Sequence, residues 1–212
     1  MLKKSLAFYI VLLVFTVPIL AQKSEQKAIR KTFENYKTAI LNNKGEAAAK
    51  CVDSRTIAYY NTIADLVRTA DSLKVASLNI TDKMMVFSVR HLLPKVAILS
   101  FDGRSLLIYA IETGMVGKNS VSKKNAIGEI ILDGESAKGQ FVFDGKKAPI
   151  YLDFYKEIGA WKIDLTSIFS LSNNVLENMA KEEKQNENEF LFSLLNLITG
   201  KQPTNEIWKP IQ

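Results

Sequence analysis

The chain has 212 residues, of which 47% are hydrophobic and 24% are charged. This length and balance are typical of one globular domain with a sizeable core, and they exclude a disordered or low-complexity chain. The formal net charge is +6, but the basic residues are scattered. The sequence therefore lacks the dense basic surface of a nucleic-acid-binding protein, and we expect no nucleic-acid partner.

The first 21 residues have the pattern of a cleavable secretory signal. Lys3 and Lys4 supply a positive start, and an apolar run follows at 6–20. Ala21 then precedes a polar stretch, as at a cleavage site. An uncleaved anchor is the alternative, but the run is short for a spanning helix, which needs about 17 residues or more. We expect cleavage, which removes two lysines and lowers the charge from +6 to +4, and export to the periplasm or the medium without a membrane span.

Several kinds of chemistry lack the residues they need. One histidine and one cysteine cannot supply the three or four ligands of a zinc site. The sequence also lacks an acidic calcium loop, a phosphate-binding glycine loop and a nucleophile elbow, so we predict no metal and no cofactor. Cys51 cannot form an internal disulfide, and we interpret it as a small buried residue.

Helical periodicity dominates the first half of the chain. Ile29, Phe33, Tyr36 and Ile40 recur at the spacing of one amphipathic stripe. On this basis we predict helices at 25–42, 46–52, 54–70, 82–93 and 103–113. Their predicted N-caps, where a polar side chain precedes the apolar pattern, are Ser24, Asp53, Thr81 and Asp102.

The period then changes from 3.6 to 2, which indicates strands separated by turns. The predicted strands are Ala126–Leu132, Ala137–Phe143, Ala148–Tyr155 and Trp161–Ile168. A polar helix at 173–183 and an apolar helix at Phe190–Ile198, docked on the core, are predicted to follow. Helices followed by an antiparallel meander predict an α+β fold with the N-terminal helices packed on one face of a four-stranded or larger sheet.

Three stretches resemble the nuclear-transport-factor-2-like superfamily, the curved-sheet cone also used by ketosteroid isomerase and scytalone dehydratase. They are the opening helix AIRKTFENYKTAI, the second helix ending at Arg68, and YLDFYKEIGAWKIDLTSIF. The resemblance covers roughly residues 25–170. It implies a cone-like domain at 22–170, with a C-terminal helical extension at 171–212 packed on it. That fold hosts enzymes, binding proteins and interaction modules, and the catalytic Tyr and Asp of the isomerase-like members have no matching motif here.

Asp153 and Asp164 lie on the polar face of the last two predicted strands. A two-residue loop would place them opposite each other, whereas a four-residue loop at Lys156–Gly159 pairs Asp153 with Lys162. Because Gly159 suits the left-handed position that ends the longer loop, we expect the four-residue loop. The two carboxylates are then solvated groups and do not share a proton.

The acid–base candidates are His91, Asp102 and Asp153. His91 follows Arg90 near a helix end, where a surface role competes with catalysis. Asp102 doubles as a helix cap. The candidate ligand-pocket residues are aromatic side chains, each of which can also serve as ordinary core with a polar group at the rim: Tyr36, Tyr60, Tyr109 and Trp161.

We expect an exported, non-enzymatic domain that binds a partner protein or a small apolar ligand, with the apolar tail helix as a lid or a homodimer seam. The first alternative is an isomerase- or dehydratase-like enzyme that uses a carboxylate or histidine in a cone pocket. The second is an interaction protein without a cavity. An open cavity between sheet and helices distinguishes ligand binding from the second alternative.

Overall fold

The structure is a computed structural model that describes residues 2–115 and 121–211, with side chains described from Ala21 onwards. Over these residues the chain forms nine α-helices, two short 3₁₀ turns and four β-strands. The strands pair in chain order as one antiparallel sheet that does not close on itself. The predicted α+β order, helices first and then a four-stranded meander, is confirmed.

Seven helices precede the sheet and two follow it. The first seven are α1 (Leu2–Leu41), α2 (Gly45–Ala49), α3 (Ser54–Thr69), α4 (Ser72–Ala76), α5 (Ile80–Leu92), α6 (Lys95–Ser100) and α7 (Gly103–Glu112). The strands are β1 (Ala126–Asp133), β2 (Ser136–Phe143), β3 (Lys146–Glu157) and β4 (Ala160–Asp164). A 3₁₀ turn (Leu165–Ile168), α8 (Phe169–Glu182), α9 (Glu187–Thr199) and a second 3₁₀ turn (Asn205–Trp208) complete the chain.

Polar side chains cap the start of five helices, α3, α4, α5, α7 and α9. The carboxylates of Asp53 and Asp102 each accept a hydrogen bond from the backbone N–H three residues later, as predicted. The predicted cap Thr81 is wrong. Asn79 lies in extended backbone and accepts from the N–H of Asp82, so α5 has already begun when the chain reaches Thr81.

The first helix is longer than predicted, because α1 passes through Ser24 without a break. Ser24 is therefore not an N-cap. The preceding segment is itself helical, and its carbonyls accept hydrogen bonds from the N–H groups of the next turn. Residues 2–20 of the predicted signal belong to this helix, but their side chains lie outside the described part, and cleavage stays a prediction. In the part of the chain that the structure describes, none of the helices has the length and hydropathy to cross a membrane.

The sequence prediction missed the shortest elements. Helices α4 and α6 have five and six residues, too few to display a helical period. The predicted fourth strand is strand only as far as Asp164, whose carboxylate accepts hydrogen bonds from the N–H and hydroxyl of Thr166 at 2.8 and 2.6 Å. This local capping turns the chain into the 3₁₀ turn, since the side chain competes with the strand's own hydrogen bonding.

Helix α1 lies across the sheet and contacts both outer strands, β1 and β4. At the β4 side, the carboxylate of Glu25 accepts hydrogen bonds from Trp161 Nε1 and from Lys156 Nζ. At the β1 side, Arg30 donates to the carbonyls of Ile127 and Gly128 at 3.3 and 2.6 Å. Extra residues in β1 and in β3 interrupt the register with β2, and because bulges bend strands, we infer that the sheet curves beneath the helix.

The free edge of β4 is covered by the segment between α2 and α3. Val52 forms an isolated parallel bridge with Ile163. The N–H of Asp53 donates to the Ile163 carbonyl, and the Ile163 N–H donates to the Cys51 carbonyl, both at 2.9 Å. These bonds satisfy edge groups that would otherwise be unpaired and hold the start of α3 beside the sheet.

The other helices form a layer around α3 and α5, and the C-terminal segment joins it through Arg90. The Arg90 side chain is buried and donates to four carbonyls, on Leu66, Val67 and Ala70 at the end of α3 and on Ile207 in the C-terminal turn. Burial lowers the pKa of Arg90 to about 10, so the guanidinium remains charged at neutral pH. One cation therefore satisfies the end of α3 and fastens the tail.

The register between β3 and β4 differs from the predicted one. Asp153 lies opposite Asp164, and Tyr155 lies opposite Lys162, so the turn is the two-residue loop Ile158–Gly159. Both loop residues have positive φ, 50° and 76°, and Ile158 is fully exposed. The predicted four-residue loop is wrong, because strand pairing imposes a left-handed conformation on Ile158 in spite of its branched side chain.

We expect Ile158→Asn to raise the free energy of unfolding by about 1 kcal/mol, because Asn tolerates the left-handed region that a β-branched residue avoids. Urea denaturation measures the change. The matched control is Ile131→Asn, since Ile131 is an exposed isoleucine within β1 and should gain nothing from the substitution. A loss of stability in Ile158→Asn would contradict the two-residue turn.

We expect Arg90→Met to lower the free energy of unfolding by about 3 kcal/mol, because it leaves buried carbonyls without donors. Arg104→Met serves as control. Arg104 makes an exposed ion pair with Glu46, and its loss should cost no more than about 1 kcal/mol. Equal losses in the two variants, measured by denaturant unfolding, would show that Arg90 does not fasten the tail.

Candidate functional site

A cavity of about 350 Å³ lies between α1, α3, the sheet and the start of α8. Its walls are predominantly apolar and aromatic. The lining residues are Phe33, Tyr36, Lys37, Tyr60, Val121, Asn125, Phe141, Ile150, Leu152, Leu165, Ile168, Phe169, Leu171 and Ser172. The exposed side chain of Leu171 stands at the rim.

The curvature of the sheet creates this space. Helix α1 contacts the outer strands, whereas the cavity lies over Phe141, Ile150 and Leu152 of the two middle strands. Phe33 of α1 meets Phe141 edge to face, with ring centroids 6.0 Å apart, and so limits the cavity at one end. The helix rests on the edges of a bent surface and leaves a gap above its centre.

Tyr36 and Tyr60, two of the predicted pocket residues, lie together in the cavity wall. Burial raises the pKa of both phenols, to about 12 for Tyr60, and the nearby Tyr60 contributes to the shift at Tyr36. Among the described residues neither hydroxyl has a hydrogen-bond partner, whereas the adjacent Tyr59 donates to Asp82 at 2.6 Å. Tyr36 and Tyr60 therefore offer neutral, unused hydroxyl groups to an occupant.

Lys37, Asn125 and Ser172 form the remaining polar wall, and the sequence analysis missed all three. Lys37 is buried, and its ammonium donates to the Glu34 carboxylate at 2.8 Å and to the carbonyls of Asn125 and Lys123 at 2.8 and 3.2 Å. A lysine one position after Tyr36 on the apolar stripe was the available signal. Asn125, in a polar loop, had no such signal, because only the fold brings it beneath α1.

The other two predicted pocket residues lie elsewhere. Trp161 is buried at the sheet edge, where its ring nitrogen donates to Glu25. Tyr109 of α7 packs against Phe101, with ring centroids 5.1 Å apart. Neither side chain lines the cavity. Helical and strand periodicity placed Tyr36, Tyr60 and Trp161 toward the interior, but it could not tell which interior surface each would reach.

The three acid–base candidates are not gathered at one site. His91 lies at the end of α5, with Nε2 3.1 Å from the hydroxyl of Thr199 on α9. Asp102 is the cap of α7, and hydrogen bonds from the Ser105 hydroxyl and backbone N–H hold its pKa below the usual value. Asp153 pairs with Lys138 at 3.0 Å on the outer face of the sheet. None of the three lines the cavity.

The two aspartates have separate structural roles on neighbouring strands, Asp153 on β3 and Asp164 at the end of β4. Asp164 is buried and caps the 3₁₀ turn, whereas Asp153 is half-buried and makes its ion pair with Lys138. The predicted partner of Asp153, Lys162, instead donates to the carbonyl of Lys50. The prediction that both carboxylates are solvated is wrong for Asp164, and no hydrogen bond joins the two opposing carboxylates among the described side chains.

Cys51 lies in the interior and has no role in metal binding among the described residues. Cys51 is buried, and its burial raises the pKa of the thiol. The sulfur donates to the Ala47 carbonyl at 3.4 Å within its own helical turn. Within residues 21–115 and 121–211, no cluster of three or more His, Cys, Asp or Glu side chains is arranged to hold a metal ion.

Comparisons of the chain with models of protein families, with curated proteins and with solved structures found no match. The resemblance to the nuclear-transport-factor-2-like superfamily therefore stays a prediction. The cavity and the polar side chains in its wall are therefore the basis for assigning a function to the protein.

Asp164→Ala should lower the free energy of unfolding by about 2 kcal/mol, because it removes a buried cap that accepts two hydrogen bonds. Asp153→Ala should cost less than about 1 kcal/mol, because its partner Lys138 is exposed. Guanidinium unfolding of the two variants makes the comparison. Similar losses, or a larger loss for Asp153→Ala, would contradict the separate roles of the two carboxylates.

Proposed function

We propose that this domain binds a small, mainly apolar ligand in the cavity between α1 and the sheet. The observation that carries the proposal is the cavity itself, about 350 Å³ with predominantly apolar walls. Ligand pockets in proteins have volumes from about 300 to 1,000 Å³, so the space suits a small ligand. Close packing is the rule in protein interiors, and a void of this size forfeits many favourable contacts unless an occupant restores them.

The polar groups of the cavity support binding more than acid–base catalysis. Among the described residues, the titratable side chains that line it are Tyr36, Lys37 and Tyr60. Both tyrosines have raised pKa values, which leave them protonated at neutral pH, and the lysine is engaged by three acceptors. A general base needs a pKa near the working pH, which the two tyrosines lack, and the lysine has its N–H groups directed to other acceptors.

Of the roles expected from the sequence, the proposal keeps the binding of a small apolar ligand. A ligand of apolar character fits the described walls, while a protein partner, a homodimer and export from the cytoplasm stay predictions. The isomerase- or dehydratase-like alternative loses its candidate acids and bases, because His91, Asp102 and Asp153 lie away from the cavity.

A neutral fluorescent probe, N-phenyl-1-naphthylamine, tests the proposal. We expect the protein to bind it with increased fluorescence, and Ser172→Trp to weaken binding by about tenfold or more, because the indole fills the cavity. Ser170→Trp is the matched control: Ser170 lies on the same helix but is exposed and does not line the cavity. Thermal unfolding checks that both variants fold.

Two results would overturn the proposal. One is the absence of probe binding by the unmodified protein. The other is equal binding by the Ser172→Trp and Ser170→Trp variants, which would place the probe outside the cavity.

A further inference from the structure

We infer that the cavity selects an uncharged amphiphile, an apolar body with a neutral hydrogen-bonding head such as an alcohol, over the carboxylate of the same chain length. The inference rests on the proposed function and deepens it by naming the ligand class. It follows from the hydrogen-bonding state of three groups in the cavity wall: the Asn125 amide, the Lys37 ammonium and the pair of tyrosine hydroxyls.

Asn125 is an unpaired amide in the wall of an apolar cavity. The residue is 1% exposed, and its Oδ1 is enclosed without a hydrogen-bond partner. Within the described part of the chain its amide nitrogen donates no hydrogen bond either, whereas its backbone carbonyl accepts from Lys37 and its backbone N–H donates to the Ser122 carbonyl. Buried amides are nearly always paired, so an unpaired amide among the residues that line a cavity marks a place where a ligand can supply the partner.

Lys37 is the one cation that lines the cavity among the described residues, but it has no donor left for an anion. An ammonium has three N–H groups, and those of Lys37 are directed to Glu34, to the Asn125 carbonyl and to the Lys123 carbonyl. Its charge is balanced by Glu34 at 2.7 Å. A ligand carboxylate would therefore enter apolar surroundings without a cationic partner, which is strongly unfavourable.

Tyr36 and Tyr60 complete an uncharged polar wall. Both residues are buried, and their hydroxyls are protonated at neutral pH and have no partner among the described residues. Hydroxyl and amide groups both donate and accept, so an alcohol can pair with either kind. The same groups offer a carboxylate no compensating positive charge.

Competition between matched ligands tests the inference. The fluorescent probe N-phenyl-1-naphthylamine is displaced by 1-decanol or by decanoate at pH 7.5, each below its aggregation concentration. We expect decanol to compete about tenfold more strongly or better, because only the carboxylate loses its hydration without a charged partner. Equal competition, or stronger competition by decanoate, would overturn the inference. If the probe still binds in that case, the proposed function is not affected. Absence of probe binding would remove both.

Asn125→Leu tests the head-group contact. It should weaken decanol binding by about fivefold or more and leave the probe unaffected, because a neutral hydrogen bond is lost without a change of charge. Asn35→Leu, an exposed position on α1 outside the cavity, is the matched control and should change neither. Unchanged decanol binding by the Asn125→Leu variant would overturn the assigned role of the amide.

Glu34→Gln tests the exclusion of anions. Removing the Glu34 charge frees the Lys37 ammonium to pair with a ligand, so decanoate should bind about fivefold tighter or better while decanol is unchanged. Glu46→Gln is the control, because Glu46 pairs with Arg104 at the surface. If the Glu34→Gln variant binds decanoate no better than the unmodified protein, the explanation of anion exclusion is wrong.

Discussion

The arrangement depends on how α1 is fastened to the sheet. Glu25 holds the helix to Trp161 on β4, Arg30 holds it to the carbonyl of Gly128 on β1, and Lys37 holds it to the carbonyl that precedes β1. These contacts lie on both sides of the sheet, and over the middle strands Phe33 of the helix meets Phe141 of β2 beside the cavity. The space beneath it remains open, and apolar side chains from the helix and from the sheet line it.

The same attachments determine the electrostatic character of the cavity. Among the described residues, Lys37 is the one cation of α1 that lines the cavity. Its ammonium donates its hydrogen bonds to Glu34 and to backbone carbonyls. Within the described part of the chain, the other polar groups that line the space are uncharged: two phenols, an amide and the Ser172 hydroxyl, set in apolar walls. A wall of this kind suits the neutral ligand that we propose.

The helical layer supports the cavity from behind. Tyr60 reaches the cavity from α3, whose start is held by the backbone bridge to Ile163 and whose end is held by the Arg90 guanidinium. The C-terminal turn joins the same cation through the Ile207 carbonyl. Polar contacts at both ends of α3 thus position Tyr60, whose hydroxyl has no hydrogen-bond partner among the described residues.

Local chemistry accounts for most of what could be predicted. The order of elements, the caps Asp53 and Asp102 and the inward faces of the strands follow from spacing and capping, which act within one or two turns of chain. Tyr36 and Tyr60 were identified as pocket residues by the same reasoning. Ser24 and Thr81 were wrong as caps, because a helix begins where hydrogen bonds first become available, and that depended on the residues before them.

The sequence by itself determined the class of fold and which side of each strand is apolar. Only the tertiary structure decided the pairing of β3 with β4, because a shift by two residues preserves every inward and outward face. The observed pairing brings Trp161 to Glu25 and Ile163 to Val52 across the fold, at the cost of a left-handed Ile158. The position of Asn125 was also decided by the tertiary structure. Its neighbours in the chain are polar and uninformative, and it becomes part of the cavity wall only because α1 crosses above it.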